Sequence, residues 1–197
     1  MSIRKRIPNH SFGDFMFSRT RSLVSYGSLA ALAALVVPVQ STHAQSRAPK
    51  IDDPTIVAIF DAANTYDIET GGLAVKKARS KQVHEFGEML VRDHKNVRQQ
   101  GRDLAASLKV TPTPPRDFAL AKAHADAMKK LRSLNGTAFD RAFLQHEIDF
   151  HNAVIDAVTK SLLPATQNAQ LKDLETKVAP AFVAHRDRAQ NLLDHLK

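Results

Sequence analysis

An all-α four-helix bundle is the fold class this sequence predicts, and three observations predict it. Four long stretches place apolar residues at alternating steps of four and three, the spacing of a bundle seam. Each stretch is bounded by residues that start or stop helices. No stretch alternates apolar and polar residues as a half-buried strand would.

The first long helix is expected from Asp53 to about Arg79. Asp53 caps the free amides and Pro54 suits the first helical position. Its inward stripe runs through Ile56, Phe60, Ala63, Asp67, Thr70 and Ala74. Ser80 is expected to cap the second helix, which runs to about Lys109 on Val83, Gly87, Leu90, His94, Val97, Gly101, Leu104 and Leu108. Gly87 and Gly101 weaken a helix, so each marks a place where another helix comes close. The prolines at 112, 114 and 115 then forbid helix. A shorter amphipathic helix is expected over 117–134, stopped by Asn135-Gly136. Thr137 is expected to cap the third long helix, Ala138 to Leu163, with Phe143, Glu147, His151, Val154, Val158 and Leu162 inward and Pro164 at its end. The fourth runs from Asn168 to Leu196 on Leu171, Leu174, Val178, Phe182, His185, Ala189, Leu192 and Leu196. The second connection, with its short extra helix, is long enough to carry the chain back along the whole bundle. The third long helix should therefore run parallel to the second.

Residues 1–44 read as a signal peptide. Leu29 to Val39 is an almost wholly apolar run of 11 residues, well short of the ~20 that span a bilayer but suited to a signal core. Arg19 and Arg21 precede it, and Thr42-His43-Ala44 offers small residues for cleavage before Gln45. Met16 would open a signal of more ordinary length, so translation could start there. Residues 45–52 read as a flexible leader and 53–197 as the bundle domain. The mature chain is thus expected in the periplasm or outside the cell. The absence of cysteine excludes disulfides, thiolate metal sites and a lipidated N-terminal cysteine. Residues 45–197 carry 23 Lys+Arg and 19 Asp+Glu, a net charge of +4. That allows weak association with anionic envelope surfaces but gives no nucleic-acid footprint. With two tyrosines and no tryptophan in the chain, little is left on which bases could stack.

Every long helix has a metal-capable side chain on its inward stripe: Asp67, His94, Glu147 with His151, and His185. A buried polar group without a partner costs about 1–3 kcal/mol, so four such positions must satisfy one another, a water or an ion. Their heights agree. Asp67 lies 13 residues before the turn at Ser80 and His94 lies 14 after it; His151 lies 13 after the start of its helix at Ala138. His185 falls near the layer of Glu147, so all five lie within about two turns of one another. Glu69 is an alternative ligand on the first helix, but it points almost opposite to Asp67, so only one can face inward. Asp93 adjoins His94 and is expected in solvent or behind the ligands. His124 sits on an apolar stripe of the short helix with no evident partner, so an inward histidine need not be a ligand. Histidine and carboxylate suit iron, manganese, zinc or copper. The Glu-x-x-His pairs of di-iron bundles are missing, since Val91, Ile148 and Phe182 stand three residues before the three histidines. A mononuclear site, or none, fits better. No Gly-x-Ser-x-Gly, phosphate loop or His-Glu-x-x-His occurs, so nucleophilic catalysis has little support and a non-enzyme is favoured without being decided.

Asp67-Ile68-Glu69, Phe86 to His94 (Phe-Gly-Glu-Met-Leu-Val-Arg-Asp-His), Phe139 to Phe143 with His151, and His185 resemble the domain of unknown function 4142 family. The likeness covers about 53–196, and Met-Leu-Val-x-Asp-His is its most specific part. The resemblance implies a ferritin-like bundle, in a family often labelled as outer-membrane or exported proteins, and implies no activity. The family usually shows Glu where this chain has Asp67. Beside a metal-binding role stands the alternative of a non-catalytic envelope or stress-related bundle that binds a partner.

Overall fold

The computed structural model describes residues 51–116 and 118–197. The expected signal peptide, its cleavage site and most of the leader lie outside the described residues. Within them the elements are α1 (Asp53–Lys77), α2 (Lys81–Ser107), α3 (Ala119–Ser133), α4 (Gly136–Ala157), a π-helical turn (Val158–Leu162), α5 (Leu163–Ala165) and α6 (Ala169–Asp194). There is no strand among the described residues, and no described helix is long and apolar enough to cross a membrane.

The helix ends refine the sequence reading. The cap of α1 is Asp52, whose carboxylate accepts the Thr55 N–H at 3.0 Å. Asp53, expected to be that cap, sits one residue into the helix, and its carboxylate reaches across the chain to accept the N–H groups of Gln167 and Asn168 at 2.8 and 2.9 Å. Ser80 stands at the start of α2 but makes no side-chain cap bond. Buried Asp140 of α4 instead anchors the turn that leads into α2, accepting the Arg79 and Ser80 N–H groups at 3.0 and 2.8 Å. Helix α4 starts from Asn135, ahead of the expected Thr137, because Gly136 takes φ +59° and turns the chain sharply out of α3. Asn168, where the fourth helix was expected to begin, is the cap of α6, its side-chain oxygen accepting the Gln170 and Leu171 N–H groups. At the other end of α4, Pro164 cannot donate a backbone hydrogen bond and its ring clashes with the carbonyl four residues back. The chain widens into a π turn before it, with the Leu163 N–H reaching Val158.

Helix α1 packs on α2 and α4 packs on α6, while α2 also meets α6 and α1 meets α4. Two apolar clusters give the directions. One joins Ala74 at the end of α1, Val83, Phe86 and Leu90 at the start of α2, Phe139, Phe143 and Leu144 at the start of α4, and Ala189 and Leu192 at the end of α6. The other joins Ile56 and Phe60, Ala105, Val158 and Leu162, and Leu171, Val178 and Phe182, the opposite ends of the same helices. Helix α4 therefore runs parallel to α2, as the long return through α3 requires. The α1–α2 seam is very close. A Cβ on Gly71 would lie 2.9 Å from the Gly87 carbonyl oxygen, and one on Gly87 would lie 2.8 Å from that of Gly71. Gly101 leaves room for the Phe60 ring, which a Cβ would meet at 2.7 Å. Both close approaches expected at Gly87 and Gly101 are present.

Candidate metal centre

Between the two apolar clusters lies a polar layer. The seven-residue stripes bring to it Asn64 and Asp67 from α1, His94 from α2, Glu147 and His151 from α4, and His185 from α6. All are buried, none more than 5% exposed. The five residues picked out in the sequence thus meet. Two triads form, His94–His151–His185 and Asp67–Glu147–His151, each with its ligand atoms within 4.8 Å of one another. The Phe182 ring closes the layer, parallel to His94 at 6.1 Å and 6.5 Å from His151.

The hydrogen bonds fix which nitrogen of each ring carries the proton. Asn64 Nδ2 donates to the Phe60 carbonyl at 2.8 Å, which orients its amide and leaves Oδ1 to accept. His94 Nδ1, 2.9 Å from that Oδ1, must then be the N–H, leaving a lone pair on Nε2. His151 Nδ1 donates to the Glu147 carbonyl at 2.9 Å, so its lone pair is also on Nε2. His185 Nε2 faces a carboxylate oxygen of Asp93 at 3.3 Å and donates there, which leaves the lone pair on Nδ1. That Nδ1 lies 3.2 Å from His94 Nε2. Two lone pairs thus face each other, with the third on a ring whose centroid is 5.7 Å from that of His94 and 5.4 Å from that of His185. Each ring's other nitrogen is held by an oxygen, the outer arrangement typical of metal-bound histidines.

Burial dominates the electrostatics. It pushes His94 down to about 2 and His151 to about 3, and lowers His185, so all three rings are neutral at pH 7. It raises Glu147 to about 7. Asp67 is raised well above the carboxylate range by burial and by the neighbouring Glu147. Asp67 Oδ1, both carboxylate oxygens of Glu147 and His151 Nε2 are buried without any hydrogen-bond partner. His151 Nε2 is 4.0 Å from Asp67 Oδ1, and Asp67 Oδ2 is 3.5 Å from His94 Nδ1. Leaving four such atoms unpaired in one layer is costly. A dication would be met by three neutral donors and two carboxylates whose ionisation it would balance.

Glu69 does not join the layer. Its half-exposed side chain turns outward to His124 Nε2 at 2.7 Å, and the His124 ring stacks on Tyr66 at 4.1 Å. His124 therefore has a partner, one that sequence spacing could not supply because α3 docks across α1. Asn64 was missed in the sequence; its polarity next to stripe position Ala63 was the available signal. Asp93 stands behind His185, at the rim of the layer.

These features define a helical bundle with a buried histidine–carboxylate layer. The chain belongs to the family described as Domain of unknown function (DUF4142), which matches residues 38–192. That match begins upstream of the described residues. No curated protein and no solved structure matches the chain.

Proposed function

We propose that this chain is an exported, ferritin-like bundle protein that holds one divalent first-row transition-metal ion, from iron, manganese, zinc and copper, between Asp67, His94, Glu147, His151 and His185. The observation that carries the reading is the meeting of three imidazoles, each oriented by an oxygen behind it, in a triad that shares His151 with a second triad of Asp67 and Glu147, whose buried carboxylates keep three oxygens without a hydrogen-bond partner. Imidazole and carboxylate together suit these metals. One ion is favoured over two because His151 belongs to both triads and has a single free nitrogen, its Nδ1 being committed to the Glu147 carbonyl. Export rests on the basic, apolar and small-residue order of residues 19–44.

Elemental analysis of the protein as isolated, followed by calorimetric titration of the metal-stripped chain with each of the four metals, tests the reading. The expected result is one equivalent bound more tightly than millimolar. No metal on isolation and no binding in titration would favour the partner-binding bundle instead.

A further inference from the structure

Of the five residues proposed to hold the ion, only His185 has a solvent-reaching partner. The side chains of Asp67, His94, Glu147 and His151 are between 0% and 4% exposed. The two apolar clusters seal the layer above and below. The Gly71–Gly87 contact closes the α1–α2 seam with backbone. An apolar groove between the π turn and Pro180 ends on Phe182, but its two threonine hydroxyls already donate to the carbonyls of Ile155 and Lys172. Its lining carries no charged side chain to draw a cation in. On the α2–α6 side the Asp93 carboxylate, 34% exposed, faces His185 with one oxygen. With the other it accepts from Arg92 Nε at 2.9 Å, and the Arg92 side chain is 70% exposed.

We infer that Asp93 is the outer station of the path by which a divalent cation reaches the histidine layer, with Arg92 as its exchangeable counter-ion and His185 as the hinge behind it. An arriving cation displaces the guanidinium from Asp93. Rotation of the His185 ring away from the carboxylate then opens the way to the lone pairs of His94 and His151. A carboxylate at a narrow mouth raises the arrival rate of cations, and a fixed guanidinium lowers it.

This inference rests on the metal reading, and the test separates the two. Cobalt(II) uptake by the purified chain is followed in stopped flow by visible absorption, release by adding excess chelator, and affinity by titration. Asp93→Asn keeps an oxygen for the His185 N–H but removes the charge. It is expected to slow both uptake and release by about tenfold, leaving the dissociation constant within about threefold, because a path changes both rates together. Asp93→Glu is expected to restore uptake. Arg92→Ala is expected to speed uptake by up to about fivefold, the span of an exposed ion pair. Asp103→Asn, an equal charge change at an exposed site further along α2, should leave the rates alone. Unchanged uptake in both Asp93→Asn and Arg92→Ala overturns the path. So does a weaker affinity in Asp93→Asn that arises wholly from faster release, since Asp93 would then only orient His185. A wild-type chain that takes up no cobalt overturns the metal reading itself.

Discussion

Replacing Glu147 with Gln should strengthen the metal-free fold while weakening metal binding. Glu147 is fully buried and neither carboxylate oxygen has a partner. Its ordinary value of 4.5 is raised to about 7 in the folded chain. A raised carboxyl binds its proton more tightly folded than unfolded. The stability this contributes is therefore complete below pH 4.5 and is lost as pH rises through about 7. By about pH 8 the difference corresponds to roughly 3 kcal/mol, which an uncharged Gln of the same shape does not lose. For a domain of this size that is a melting-temperature gain of about 6–12 °C. The assay is thermal melting by circular dichroism, in chelator and with zinc, near pH 4.5 and pH 8. In chelator the variant should exceed wild type near pH 8 and match it near pH 4.5. With zinc the wild type should gain stability through mass action, while the variant, lacking a charged ligand, gains much less. A variant less stable than wild type near pH 8 in chelator, or equally stabilised by zinc, would refute the reasoning.

His94→Ala and His151→Ala should each lower metal affinity by more than tenfold in calorimetric titration. Leu90→Ala, a cavity costing about 2–5 kcal/mol on the same helix face, should leave affinity alone. Acidification to about pH 5 should weaken binding by the wild type, because Glu147, raised to about 7, then keeps its proton; calorimetry at two pH values reads this. Gly87→Ala should destabilise the fold by about 1–3 kcal/mol in urea melts, since its Cβ would lie 2.8 Å from the Gly71 carbonyl, outweighing the ~1 kcal/mol that Ala gains in helix propensity. Intact-mass measurement of exported protein should give a chain beginning at or near Gln45; a mass that retains Leu29 to Val39 would refute the expected cleavage.

The layer could be read from residue counts because an error at a hairpin turn is small beside the height of the layer. Moving the turn near Ser80 by one residue lengthens one arm and shortens the other, which changes the relative height of Asp67 and His94 by only about 3 Å, less than one helical turn. The stripes survived for the same reason that caps did not. A stripe is set by many residues, whereas an end depends on whichever carboxylate arrives, Asp140 at α2 and Asp53 at the start of α6. Asn64 escaped because a seven-residue stripe drifts by about 20° per repeat on a straight helix. In α1 the buried position passes from Ala63 to Asn64, which meets His94. Glu69 and His124 escaped for another reason. Their pairing depends on where α3 lies across α1, and the proline-rich return fixes that helix's length but not its placement.

Asp67 shows how seam and site depend on each other. The sequence resemblance leads to the expectation of a Glu at this position, and an Asp arm is one methylene shorter. Gly71 stands one turn further along α1 and Gly87 two turns before His94 on α2, so their backbone contact draws the two helices together beside the layer. The shorter carboxylate then lies 3.5 Å from His94 and 4.0 Å from His151. The glycines weaken each helix by about 1 kcal/mol apiece, and the carboxylates they bring in are raised by burial. Both features act against the metal-free fold. A dication that ionises Asp67 and Glu147 would leave the buried layer neutral overall, turning four unpaired atoms into ligands, and the cost of the seam would be recovered there.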